Sequence, residues 1–191
     1  MRSTKPGERK LQILQILAEM LQTPAAERIT TAALAAKLDV SEAALYRHFA
    51  SKAQMFECLI GFIEETIFGL VNKIGTEHAS GLAQLEAILS MLLGFAKKNP
   101  GMTRVLIGDA LVNEDERLQA RINQLQDRLE ATLKQAVRFA VSEKEIPENT
   151  DAAGQANLMI AFVIGRWHQF AKSGFRRDPT EHWAAQWPAL V

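Results

Sequence analysis

The 191-residue sequence predicts an all-α protein, with a three-helix N-terminal head carrying a helix-turn-helix and a larger helical body behind it. Three observations point there. Apolar residues recur at three- and four-residue steps along most of the chain, the period of a helix with one buried face. The strongest breakers (Thr23-Pro24, Gly75 and Gly81, Asn99-Pro100-Gly101, Pro147) separate the periodic stretches. No segment holds the period-two alternation of a half-buried strand.

Taken in order, Leu11, Leu14, Leu17, Ala18 and Leu21 mark one buried stripe on a first helix over 8–22, ended by Pro24. Two short helices follow over 31–38 and 42–48. A long helix over 51–74 carries Met55, Phe56, Leu59, Phe62, Ile63, Ile67 and Leu70 on its apolar positions. The next runs over 82–98 and is closed by Asn99-Pro100-Gly101, after which a shorter one covers 102–107. Glu114-Asp115-Glu116 suit the positive end of a helix dipole and open a seventh helix reaching 141. Leu118, Ile122, Leu125, Leu129, Leu133, Ala136 and Ala140 form its seam. Thr150 or Asp151 can cap an eighth helix running to 173, whose stretch over 158–165 is apolar on nearly every side and is expected to be buried all round. A terminal helix over 181–187 places Trp183 and Trp187 on one face. The division is a DNA-binding head over 1–52 and a dimerisation and partner-binding body over 53–191.

Twenty-two Lys and Arg balance 22 Asp and Glu, so bulk charge announces no polyanionic partner. Residues 1–57 hold eight bases against six acids, a net of +2, too little for a basic coat. A nucleic-acid contact at this end therefore needs placed hydrogen bonds and two copies of the head. Cys58 is the sole cysteine, which excludes an intramolecular disulfide and fits a reducing compartment. The N-terminus lacks an apolar signal core, and no apolar run approaches the roughly 18 residues of a membrane span. A cytoplasmic protein without a membrane segment is expected. His48, His78, His168 and His182 are dispersed, and neither a Gly-rich phosphate loop nor a nucleophile elbow is present. No catalytic residue, metal or cofactor is expected, and Glu64-Glu65 reads as a solvated face.

The segment from Thr30 to Phe49 has the layout of a helix-turn-helix. Ala35 and Ala36 are small enough for two helices to cross closely, Leu34 and Leu38 supply a core face, and Val40 plugs the turn. Ser41 can cap the second helix. Leu45 and Phe49, four apart, then face inward and leave Glu42, Ala43, Tyr46 and Arg47 toward a groove. Thr30 and Thr31 sit at a helix N-terminus able to hold a phosphate. Tyr46, Arg47 and His48 can donate to the DNA backbone, with Lys52 repeating the device at the next helix start. Ala43 could meet a thymine methyl and Glu42 a cytosine amino group.

From Arg28-Ile-Thr-Thr through Leu45-Tyr-Arg-His-Phe to Ser51-Lys, the chain resembles the TetR-type regulators. The body, with Leu92-Leu-Gly-Phe, Asn99-Pro-Gly, Leu118-Gln-Ala-Arg-Ile-Asn-Gln-Leu and Trp187-Pro, is similar to the nucleoid occlusion factors of that family. The resemblance implies a nucleoid-associated homodimer whose heads hold palindromic sites in double-stranded DNA. It also implies that the body engages the tubulin-like division protein FtsZ, so that rings do not assemble over the chromosome. Carried over, the FtsZ surface comprises Phe62, Met91, Gly94, Lys98 and Asn99. Lys98 stands where arginine is usual, which keeps the charge and loses a planar bidentate donor; Leu70 stands where a basic residue is expected. Read without the resemblance, Phe62 and Met91 suit half-buried packing, Gly94 suits helix packing and Asn99 suits a helix C-cap.

The seam of the seventh helix and the apolar eighth helix show no obvious partner within one chain. A two-fold interface through Leu118, Ile122, Leu125, Leu129, Leu158, Phe162 and Gly165 is therefore expected, with Gly154 and Ala161 allowing close approach. The alternative function is a ligand-responsive repressor of the same architecture. It would need a roomy apolar cavity with a few converging polar groups, which the Leu, Ile, Met and Phe of the body could line or simply fill.

Overall fold

The computed structural model describes residues 6–23, 29–112 and 114–191. Pro24 and Arg28, together with Arg2, Lys5 and Glu27 of the charge count over 1–57, lie outside the described residues. Among those described, nine α-helices and no strand occur.

The head consists of α1 (Pro6–Met20), α2 (Thr31–Lys37) and α3 (Glu42–Tyr46). Ile13, Leu17, Leu34, Leu45 and Phe49 form its core, each with about 1% of its surface exposed. Thr30 caps α2 by accepting from the Ala33 amide at 3.1 Å, and Ser41 caps α3 by accepting from the Ala44 amide at 3.3 Å. Between them Asp39 takes the left-handed conformation (φ 54°). Its amide donates to Ala36 O and that of Val40 to Ala35 O, a Schellman arrangement that ends α2 and turns the chain sharply into α3. Aspartate visits this conformation more readily than most residues because its short polar side chain can hydrogen-bond the local backbone.

Ser51 accepts from the Gln54 amide at 3.1 Å and starts α4 (Lys52–Glu77), the helix that leaves the head and enters the body. The body continues with α5 (Gly81–Lys98), α6 (Pro100–Leu106) and a 3-10 turn over Asp109–Leu111. Then come α7 (Glu116–Ser142), capped by Asp115, and α8 (Ala152–Lys172), capped by Asp151. The short α9 (Trp183–Gln186) runs into a 3-10 turn over Trp187–Ala189. Helices α4, α5, α7 and α8 pack into one core, and Trp167 lies fully inside it with Nε1 donating to Leu92 O at 3.1 Å. Head and body meet at Gly101, where a Cβ would lie 1.9 Å from Ala18 O. Glycine is required there because the α6 backbone touches the α1 backbone.

Several expectations are corrected. Leu11 is exposed, and Ile13 takes the inward position on α1. Gly75 lies inside α4, not in the connection; one helical glycine costs only about 1 kcal/mol against alanine. Buried Val71 anchors that last part of the helix. The larger correction concerns α7. Leu118, Ile122, Leu125 and Leu129 are buried by their own chain against α4, α5 and α8, so their stripe is internal core and not an interface. Conversely α8 is not buried all round: Leu158 is 50% exposed, and Ala161 and Gly165 are also exposed. Phe162 is half-buried beside Trp183, ring centroids 6.4 Å apart. No helix among the described residues is long and apolar enough to cross a membrane.

Candidate functional site

Two surfaces gather the predicted residues. On the head, burial of Leu45 and Phe49 turns the opposite side of α3 outward, and Glu42, Ala43, Tyr46 and Arg47 are all exposed there. Thr31 Oγ1 donates to Glu42 Oε2 at 2.5 Å, tying the start of α2 to the start of α3. These two candidates thus hold each other in place, and the threonine hydroxyl orients the exposed carboxylate at the start of α3. Thr30 is exposed and Thr31 half-exposed at the α2 N-terminus, while the Ser41 oxygen is occupied in capping. His48 is half-buried. Lys10 of α1 was not singled out by sequence reasoning; its Nζ stands 5.7 Å from the Phe49 ring, which places a cation beside the end of the helix-turn-helix.

Lys52 is placed differently from the expectation. Its Nζ pairs with Glu114 Oε1 at 2.5 Å, with only 20% and 8% of the two side chains exposed. The ammonium therefore points to the α6–α7 connection and not outward with Tyr46 and Arg47. The partner lies 62 residues away, and no local signal announces it.

On the body, residues of α4 and α5, with Asn99 after α5, line an apolar groove of about 660 Å³. Phe62, Met91, Gly94, Lys98 and Asn99 all line it, with Leu70 and Ile74 completing the α4 wall. Phe62 and Leu70 are 38% and 39% exposed and lie together on this apolar lining, a contiguous patch and not scattered single residues. A Cβ on Gly94 would meet nothing within 4 Å. Helix packing therefore does not require this glycine; it widens the floor of the groove. Asn99 is the C-cap of α5, with Nδ2 donating to Phe95 O at 2.8 Å, so its capping and groove-lining positions coexist. Lys98 is exposed at the groove end.

A third set of residues joins head to body. Arg104 Nε pairs with Asp109 Oδ2 at 2.7 Å, and its Nη1 donates to Leu21 O at 3.2 Å and Thr23 O at 3.4 Å. These carbonyls belong to the turn that follows α1, whose last acceptors have no helical partner. Lys172 of α8 also pairs with Asp109. Burial by itself would raise the Asp109 carboxyl, but the hydrogen bonds from Lys172 and Arg104 outweigh it and hold the group below the ordinary carboxylate range. It is an anion throughout the neutral range.

Comparison with known proteins places these surfaces in context. Residues 13–59 match the family described as bacterial regulatory proteins, tetR family, and residues 79–191 match the SlmA-like form of the tetracyclin repressor-like C-terminal domain. The chain is 52% identical to the nucleoid occlusion factor SlmA of Alteromonas mediterranea, over 100% of this chain and 97% of that one. It is 48% identical to the SlmA of a Marinomonas species, over 99% of this chain and 96% of the relative. Among solved structures, a TetR-family regulator from Agrobacterium tumefaciens superimposes with a TM-score of 0.80 at 15% identity, covering 97% of each chain. PfmR from Thermus thermophilus gives 0.77 at 21%, covering 94% of this chain and 97% of that one. These last two likenesses speak for the fold alone.

Proposed function

Since the chain belongs to the TetR family of DNA-binding regulators, among its nucleoid occlusion factors, we propose that it acts as a homodimer on palindromic chromosomal sites and holds FtsZ in the α4–α5 groove. The observation that carries this reading is the groove itself. All five residues attributed to FtsZ binding lie on its lining, and the Gly94 floor is open where packing would have closed it. The groove suits a short apolar segment of the partner with an acidic group near Lys98. It works in the cytoplasm, on the nucleoid. The heads supply the DNA contacts through Thr30, Thr31, Tyr46 and Arg47, with Ser41 and the Thr31–Glu42 bond setting the pose of α3 and Ala43 lying against a base edge.

Two experiments test the two ends separately. Lys98→Glu, measured by fluorescence anisotropy with labelled FtsZ, is expected to weaken the complex about tenfold or more by placing like charges together. Operator affinity should stay within about twofold, because Lys98 lies on the body and makes no part of the head. Loss of both activities together would mean a misfolded chain and would remove the support for the groove. Arg47→Ala is expected to weaken operator binding by about 1–3 kcal/mol per head and to reduce the salt dependence, as one phosphate or base contact is lost on each side. An unchanged salt slope and affinity would take Arg47 out of the interface.

The alternative, a ligand-responsive repressor, would have to use the same apolar hollow for a small molecule. Trp167 is fully buried with its N–H satisfied, and His168 lines a separate, polar hollow with Lys172, Arg176 and Arg177.

A further inference from the structure

Among the described residues two polar links run from head to body, one ending on Glu114 and the other on Arg104 of α6, whose partner Asp109 shares the α6–α7 connection with Glu114. Lys52, the first residue of α4, is held by Glu114. The turn after α1 is held through its carbonyls by Arg104, whose Asp109 partner also takes Lys172 from α8. Asp109 and Glu114 lie five residues apart, so one connection brackets the head from two directions. The same bracket is tied to α8, on the helix that presents Leu158, Ala161 and Gly165 outward. Where α1 meets α6 the contact at Gly101 and Ala18 is backbone against backbone, which fixes closeness but leaves rotation to the side chains around it.

We propose that the Lys52–Glu114 and Arg104–Asp109–Lys172 links are positioning clamps that set the tilt of the head on the body, and thereby select operators by the distance between their half-sites. This rests on the dimeric, palindrome-binding reading above. In a dimer the body fixes one end of each head, and the second half-site must fall where the second recognition helix points. Half-sites of such dimers lie about 34–36 Å apart, and one added base pair moves a half-site by about 3.4 Å. A head free to tilt would accept several spacings, each with reduced affinity, because the competent pose would be only a fraction of the ensemble. A head clamped at two points accepts one.

The clamp reading and a phosphate-contact reading of Lys52 predict opposite signs for one substitution. If Glu114 merely holds Lys52 back from DNA, Glu114→Gln frees a cation and strengthens binding at every spacing. If the pair is a clamp, Glu114→Gln weakens binding at the native spacing and flattens the preference among spacings. The probe is a palindrome recovered by the wild-type protein from a random duplex pool, together with versions lengthened or shortened by one and two base pairs and an isolated half-site. Affinities are measured by anisotropy for the wild type, Glu114→Gln, Asp109→Asn and the exchanged pair Lys52→Glu/Glu114→Lys, each shown to be folded by its FtsZ affinity.

Expected for Glu114→Gln and for Asp109→Asn is a loss of about tenfold at the native spacing, little change at the half-site, and a native-to-shifted ratio falling toward one. The exchanged pair is expected to recover spacing selectivity, which a lost phosphate contact would not. Stronger binding at all spacings, or an equal loss at every spacing and at the half-site, would overturn the clamps. A wild type that binds all spacings and the half-site alike would overturn the dimeric reading on which they rest, and is distinguished from the other outcomes by needing no variant.

Discussion

Gly165→Leu is expected to separate the proposed dimer while leaving each protomer folded. In the protomer Gly165 is exposed, and a Cβ there would meet nothing within 4 Å, so the chain by itself has no reason to exclude a larger side chain. Gly165, Ala161 and Leu158 recur at four and three residues along α8 and form one outward stripe, small at two positions and apolar at the third. Such a stripe suits a second helix approaching closely across a two-fold axis. A leucine at the Gly165 end of that contact would force the helices apart. Analytical ultracentrifugation should show the mass of one chain in place of two at micromolar concentration. Operator affinity should fall by about two orders of magnitude or more, since two linked half-site contacts become independent ones. Thermal unfolding of the separated chain would remain cooperative. A Gly165→Leu protein that stays dimeric and binds its operator unchanged would remove this face of α8 from the interface.

Trp167→Ala should have the largest effect on stability, about 3–5 kcal/mol, as a fully buried tryptophan leaves a cavity. For a chain of this size that is a fall of roughly 10 °C in Tm. Its Nε1 hydrogen bond to Leu92 O pins α8 to α5 midway along α5, between the groove residues Met91 and Gly94. Loss of the indole is therefore expected to loosen the groove wall, so FtsZ binding should weaken at temperatures where DNA binding persists. Trp167→Phe separates the two causes: it keeps most of the volume and loses one hydrogen bond, worth about 1 kcal/mol. Differential scanning calorimetry of the two variants checks the order. Equal losses would mean that the hydrogen bond, not the packing, holds α8 on α5.

What was legible in the sequence follows from the range of the interactions involved. The head was legible because its signals are local: Thr30 and Ser41 cap the helices that follow them, and Leu45 with Phe49 sets the inward face. Those same inward residues place Glu42, Ala43, Tyr46 and Arg47 outside. The α7 seam shows the limit of periodicity. A stripe at three- and four-residue steps says that Leu118, Ile122, Leu125 and Leu129 are buried, but not whether their own chain or a second copy buries them. Residue spacing likewise could not separate a packing glycine from a groove glycine at position 94; only the empty space above its Cα does so. Lys52 is the plainest case. A lysine at the start of a helix beside a helix-turn-helix has the local character of a phosphate ligand, and the partner that redirects it, Glu114, is brought near only by the folded body.

On the proposed reading, one dimer joins DNA at its heads to FtsZ at its α4–α5 groove. The most direct test is sedimentation of FtsZ polymers with the protein present, with and without operator DNA, and with Lys98→Glu as the groove control. Polymer yield is expected to fall most with wild-type protein bound to operator, and to return toward the untreated level when Lys98 is reversed. Polymer yield indifferent to the protein, to its operator and to Lys98 would contradict it.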